Sequence, residues 1–321
     1  LHNHSKKPNI MKKQKQNISL TLTRFVGAQA AFFSMICLLV LLTACSGQQK
    51  GANSSGIQLI NSGSETMKKL ADSWAKAYKE QKSNVSLEIL GGGTGTGLSS
   101  LIHGDVDLAN ASRKITPEEI HYATQHFQKT PKEFVVAYDA VAIYVHKSNP
   151  IDEISLLELA EIFGRNGKIS NWAQVDSTKF TDEEIEVINR QSNSGTYQTF
   201  KSVVLGEDNA FRTITYELQT AKEVVDMVSK DSNAIGYSGI AFANENVKML
   251  KISGTPESEA LDPMVELTKS GLSMYPISRP LYIYTLGEPE KHVQKYINFV
   301  LSKKGQRIAK ELGYVPIGDL D

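Results

Sequence analysis

The run GGGTGTG, Gly91–Gly97, puts five glycines and two threonines into seven positions. Glycine at that density weakens a helix or strand, so something in the fold has to use it. The run sits at a junction. Before it, Val85, Leu87 and Ile89 alternate at strand spacing; after it, Leu98, Leu101 and Ile102 follow helical spacing. Two other junctions have the same build. NSGSETM joins the short strand IQLI (Ile57–Ile60) to a helical pattern of Met67, Leu70, Ala71, Trp74, Ala77 and Tyr78, with Ser64 where an N-cap belongs. RQSNSGTY joins the strand IEVINR to a helix from Thr196 onward. Repeated strand–turn–helix units restrict the chain to an α/β architecture with a mostly parallel sheet.

The rest of the pattern agrees. DVDLANAS holds a small strand, and Thr116-Pro117-Glu118-Glu119 reads as a capping box with proline in the first turn. A long strand pattern covers Glu133–Lys147, and a helix opens at Ser155 with Glu158 three residues on. A helix over Ala221–Ser229 precedes the strands AIGYS and VKMLKI, and PLYIYT (Pro280–Thr285) is strand-like. Two helices end the chain, one carrying Val293, Tyr296, Ile297 and Val300, the other closing at Gly313. KKGQRIAKEL reads as a solvated helix face, Trp74 as core, Trp172 as packing a loop, and Tyr282 and Tyr284 as packing rather than ligand contacts.

The three junctions share a chemistry. A helix start presents unpaired N–H groups and a partial positive charge. Ser and Thr add hydroxyl donors, and glycine lets backbone come close to a ligand. Three such starts converging would make a socket for a small tetrahedral oxyanion. Taken singly, each is weak: GGGTGTG reads equally as a linker, SGT as a plain N-cap, Arg190 as a surface ion-pair residue. The glycine run is not a P-loop, because Leu98-Ser99 stands where Lys-Ser/Thr is required. The paired loops argue against a dinucleotide fingerprint.

The first 44 residues are a different material. They carry Lys6, Lys7, Lys12, Lys13, Lys15 and Arg24 with no acidic residue, then the apolar run Ala30–Leu42, too short for a span of roughly 20 residues. That is the pattern of a secretory signal, with Met11 a candidate translation start. It ends in LTAC, Leu42–Cys45, which resembles the lipobox of bacterial lipoproteins; there Cys45 would be acylated, anchoring the chain to the membrane through a flexible tether, 45–56. Without residues 1–44 the charge is 29 Lys+Arg against 35 Asp+Glu, near −6. A net acidic chain is a poor nucleic-acid binder, and an anion site on it has to work by close contact rather than by the overall field. His121 and His126 are five apart and no HExxH occurs, so neither a metal nor a cofactor is expected.

The stretches GSETMKKLADSWAKAY, GGGTGTGL, DLANASR, RQSNSGT, NAIGYSG, YPISRPLYIYT and ELGYVP run in one order from Ile57 to the C-terminus. In that combination the chain resembles the PstS family, the solute-binding lipoproteins of bacterial phosphate importers. The resemblance implies a two-lobed type II periplasmic-binding-protein fold with the ligand between the lobes. It places one lobe at 57–139 plus 277–321 and the other at 140–276, with crossing strands near Tyr138 and Pro280 as the hinge. It also implies a monomer, with inorganic phosphate as ligand and the permease and ATPase subunits of an ABC importer as partners.

Carried over residue by residue, the family's phosphate contacts fall on Glu65, Thr66, Thr94, Ser112, Arg190, Ser194, Gly195 and Thr196. Arg190 would give a two-pronged hydrogen bond. One position departs. Some members place an aspartate after the serine matched by Ser112, accepting the proton of monohydrogen phosphate; here Arg113 stands there. Glu65 or Asp139 is then the candidate acceptor, or Arg113 favours the dianion at the site. Sulfate or molybdate binding is the alternative within the same class. A phosphate-ester hydrolase is the alternative outside it, and would need a nucleophile with its base, or a metal, which the sequence does not offer.

Overall fold

The computed structural model describes residues 56–82, 84–213, 216–264, 274–318 and 320. The basic leader, Cys45 and most of the tether lie outside the described residues. The first unit runs β1 (Ile57–Gly63), α1 (Lys68–Gln81), β2 (Val85–Gly92), α2 (Thr94–His103), β3 (Leu108–Ala111) and α3 (Pro117–Phe127). The long β4 (Pro131–His146) follows. Then come β5 (Glu153–Ser155), α4 (Leu156–Phe163), β6 (Glu186–Arg190), α5 (Gly195–Phe200), β7 (Tyr216–Leu218), α6 (Ala221–Val228), β8 (Ala234–Gly239) and β9 (Val247–Ser253). The chain returns along β10 (Ser278–Leu286) to α7 (Lys291–Val300) and α8 (Lys303–Glu311).

The strands are ordered β2-β1-β3-β10-β4-β8-β6-β7, with β9 also pairing β4, and β5 pairing β9. The expectation of a mostly parallel sheet holds on either side of the middle, where β1 pairs β2 and β3, and β6 pairs β7 and β8, all in parallel. It fails at the seam. There β10 runs antiparallel to β3 and β4, and β4 antiparallel to β8 and β9. The cause is connectivity: β4 carries the chain across and β10 carries it back, so they lie side by side in opposite directions.

β4 serves two cores. Its first part, Pro131–Ala140, pairs with β10, and Val141–Val145 pairs with β8. Accordingly Val136 and Ala137 join a core with Leu59, Trp74, Tyr296 and Ile297, while Ala140–Val145 join another with Phe163, Trp172, Phe200 and Tyr237. Burying each large apolar side chain stabilises by roughly 1.5–3 kcal/mol. Both tryptophans keep a partner for the indole N–H, Trp74 on the Gly305 carbonyl (2.7 Å) and Trp172 on that of Asn233 (2.9 Å).

Local signals mostly settle the elements. Thr116 and Ser155 form the expected capping boxes with Glu119 and Glu158, and Thr220 forms a third with Glu223. Two local expectations fail. Ser64 does not cap α1, which begins after Met67 without a side-chain cap; its hydroxyl points to Ser112 instead. The KKGQRIAKEL segment is solvated on one face only, because Gly305, Gln306 and Ala309 are buried and the Gln306 amide donates to the carbonyls of Val136 and Val300.

Candidate functional site

The glycine run contains almost no loop. Gly91 and Gly92 finish β2, Gly93 is the N-cap at φ +92°, and Thr94 already starts α2. Three of the bare Cα atoms meet a close neighbour. A Cβ on Gly91 would lie 1.9 Å from Glu65 Oε1, one on Gly93 2.9 Å from the Asn193 carbonyl oxygen, and one on Gly97 2.4 Å from the Cα of Gly63. Several of the amides are already engaged: Gly92 N–H donates to Glu65 Oε1 (2.6 Å), Gly93 N–H to the Gly63 carbonyl (3.0 Å), and Gly95 N–H to the Asn193 carbonyl (3.0 Å). The run thus lets three segments pack against it.

The junctions at Ser64–Thr66, Thr94, Ser112 and Ser194–Thr196 come together. Thr66 and Thr196 hydroxyls lie 3.0 Å apart. Ser112 N–H donates to Thr94 Oγ1 (3.1 Å), and the Ser112 hydroxyl lies 3.0 Å from that of Ser64 and 3.3 Å from that of Thr94. Gly195 faces this pair so closely that a Cβ there would stand 2.4 Å from Ser112 Oγ and 2.6 Å from Thr94 Oγ1. Ser194 caps α5, its oxygen accepting from the N–H groups of Thr196 (3.2 Å) and Tyr197 (3.4 Å). Ser64, Thr66, Thr94, Ser112, Ser194 and Thr196 are all buried. A hydroxyl both donates and accepts and can rotate to suit, so this ring can present donors to an anion.

Two guanidinium groups are buried here, and each feels the other's charge. Arg190, at the end of β6, is 1% exposed; its Nε donates to the Leu218 carbonyl (3.3 Å) and one Nη to that of Gln219 (2.8 Å). Its other terminal nitrogen, Nη1, is buried without a partner. Burial lowers the Arg190 pKa to about 10, with the charge of Arg279 adding to the effect and Tyr237 and Glu65 opposing it. Arg279, on β10, ties the ring to the seam. It donates to Asp139 Oδ2 from Nε (3.1 Å) and Nη2 (2.7 Å), to the Ser112 carbonyl from Nη1 (3.3 Å), and to Thr66 Oγ1 (3.4 Å). Asp139 is fully buried and its second oxygen, Oδ1, has no partner. Desolvation pushes the Asp139 pKa up against the opposing pull of Arg279.

Arg113 is the one expected site residue whose side chain turns away. Its guanidinium forms a two-pronged pair with Glu119 (2.8 Å for each bond) and also donates to the Lys114 carbonyl. Glu119 is the capping-box acid of α3, so the arginine at this position is held by the helix that follows it. An open groove of about 610 Å³ lies on that side, bordered by Arg113, Lys114, Thr199, Lys201, Arg279 and Pro280.

Residues 48–304 match the family model described as a PBP superfamily domain. The phosphate-binding protein PstS of Pseudomonas aeruginosa is 31% identical over 280 residues, covering 84% of this chain and 85% of that protein. The chain belongs to the PstS family. PstS of Staphylococcus aureus is likewise 31% identical, over 91% of this chain and 87% of the relative. Among solved structures, a putative phosphate ABC transporter substrate-binding protein from Clostridium perfringens, with bound phosphate, superposes with a TM-score of 0.71 at 26% identity, covering 81% of this chain and all of the other. These likenesses give the two-lobed periplasmic-binding fold.

Three residues at or beside the ring, Asn193 being beside it, escape a reading of the sequence as a PstS-like chain. Ser64 reads as a cap, Arg279 lies inside YPISRPLYIYT without a role, and Asn193 lies inside RQSNSGT without one. Each sits within a stretch that signals the family, but contact across 48 to 213 positions of chain is not visible locally.

Proposed function

We propose that this PstS-family chain captures inorganic phosphate outside the cytoplasm and delivers it to the permease and ATPase subunits of an ABC importer. The lobes, 57–139 plus 277–321 and 140–276, close around the anion by bending at β4 and β10. Two observations carry the reading: a buried guanidinium nitrogen of Arg190 without a partner, and a cluster of buried serine and threonine hydroxyls within hydrogen-bond distance of one another. A buried cationic donor left open is costly, and an oxyanion satisfies it. In this reading Thr66, Thr94, Ser112, Ser194, Gly195, Thr196 and Arg190 hold phosphate. Micromolar affinity needs about 8 kcal/mol, and hydrogen bonds to a charged group are worth roughly 1.5–3 kcal/mol each, so a handful beyond the desolvation cost suffices.

Asp139 accepts the hydrogen bond from the protonated oxygen of monohydrogen phosphate in this scheme. Its Oδ1 is buried and open, whereas Glu65 Oε1 is engaged by Gly92 N–H. A fully deprotonated sulfate would leave that carboxylate repelled. Isothermal titration with phosphate, sulfate and molybdate tests the reading. Tight phosphate binding with weak sulfate binding supports it; a preference for sulfate or molybdate replaces it with another oxyanion carrier. The chain acts as a monomeric carrier rather than as an enzyme, in keeping with relatives that are named as phosphate-binding proteins. Hydrolysis of a phosphate ester by the purified protein would overturn this.

Anchoring belongs to the same proposal. Cys45 is acylated after removal of the leader, and residues 45–56 tether the lobes to the membrane surface. Among the described residues no helix is long and apolar enough to cross a membrane. Release of a Cys45→Ala variant from the membrane fraction supports acylation; retention refutes it.

A further inference from the structure

Asn193 touches the glycine run at three places. Its carbonyl accepts from Gly95 N–H (3.0 Å), and its side-chain amide donates to the Gly92 carbonyl (2.8 Å) and to Thr96 Oγ1 (3.3 Å). The contact joins opposite sides of the seam: Val85 of β2 packs with Leu59 and Trp74, Leu98 and Leu101 of α2 pack with Ala109 and Tyr284, and Ile188 and Phe200, on either side of the β6–α5 turn, pack in the separate core with Phe163 and Tyr237. It also explains one of the glycines: a Cβ on Gly93 would be 2.9 Å from the Asn193 carbonyl oxygen. We propose that Asn193 is a latch between the lobes that makes no contact with the anion itself, holds the glycine run against the β6–α5 turn on closure and thereby sets how slowly bound anion leaves. Asn193 is adjacent to Ser194 but is not one of the phosphate contacts. The latch rests on the proposed carrier function.

A latch that forms only on closure acts on escape rather than on encounter, because the anion enters before the bonds are made. Asn193→Ala removes the two side-chain bonds. Asn193→Asp keeps the volume but turns a donor toward the Gly92 carbonyl into an acceptor, which opposes closure. Stopped-flow phosphate release and lobe-to-lobe fluorescence energy transfer at saturating phosphate read the effect, with calorimetry on the wild type alongside. The expected result is release faster by about tenfold in Asn193→Ala, in keeping with two neutral hydrogen bonds. Asn193→Asp is at least as fast, the closed fraction is reduced in both, and the association rate and ligand-free melting temperature are unchanged. Wild-type binding together with unaltered release and closed fraction in both variants overturns the latch and leaves the carrier reading intact. No phosphate binding by the wild type overturns the carrier reading instead, and the latch with it. A ligand-free melting temperature lowered in both variants, with unaltered release, makes Asn193 a purely structural residue and also overturns the proposal.

Discussion

Arg279 and Asp139 meet twice: as register partners where β10 pairs with β4, and as a buried ion pair with Nη2 and Oδ2 2.7 Å apart. The side chains are 3% and 0% exposed, so the pair sits between β4 and β10 without water to replace either partner. Its remaining bonds go to Thr66 and Ser112, which makes it the link between the seam and the hydroxyl ring.

Removing one member of such a pair leaves a charge buried and uncompensated, at about 3–5 kcal/mol. Asp139→Asn is therefore expected to lose about 3 kcal/mol or more of unfolding free energy in urea. Adding Arg279→Met is expected to restore part of that loss. A double variant no more stable than Asp139→Asn would show that the charges are not coupled.

Arg190→Ala is expected to weaken phosphate binding by at least about tenfold, the scale of one charge-assisted hydrogen bond. The sign of its pH dependence follows from the lowered pKa. Below about 10 the guanidinium is charged and attracts the anion; as pH rises through that value the proton leaves and affinity falls. Titrations from about pH 8 upward are expected to show that decline in the wild type and to lack it in Arg190→Ala. An unchanged dissociation constant in Arg190→Ala counts against the site.

Gly195→Ala places a methyl group at 2.4 Å and 2.6 Å from the hydroxyls of Ser112 and Thr94. The clash arises only when the two sides of the ring are together. Overpacking of this kind costs about 1–3 kcal/mol, so affinity is expected to drop by about tenfold to a hundredfold. Calorimetry and thermal unfolding of ligand-free protein check this, the second being expected to change little.

Glu65→Gln is expected to leave discrimination between phosphate and sulfate unaltered. Glu65 Oε1 accepts from Gly92 N–H, and a glutamine oxygen can do the same. Competition titrations read the ratio; a fall in phosphate preference would move the acceptor role from Asp139 to Glu65.

Most elements of this fold are written in local patterns. The alternation through β2, the apolar spacing of α1 and the capping boxes at Thr116 and Ser155 each depend on neighbours a few residues away, so they are legible in the chain itself. The residue types of the ring are legible too, since small polar residues gather at strand-to-helix junctions. Their common meeting point is not, and neither is the turn of Arg113 toward Glu119, which depends on where α3 begins in space.

The amino-acid sequence determined the α/β units, the two kinds of core-forming face and the chemistry available at each junction. Tertiary structure alone decided that β10 lies antiparallel against β4, that Ser64 turns to Ser112 rather than capping α1, and that the glycines admit Glu65 and Asn193. The reason is range: periodicity and capping act over a few residues, whereas these contacts join segments tens to hundreds of positions apart and exist only once both cores have formed.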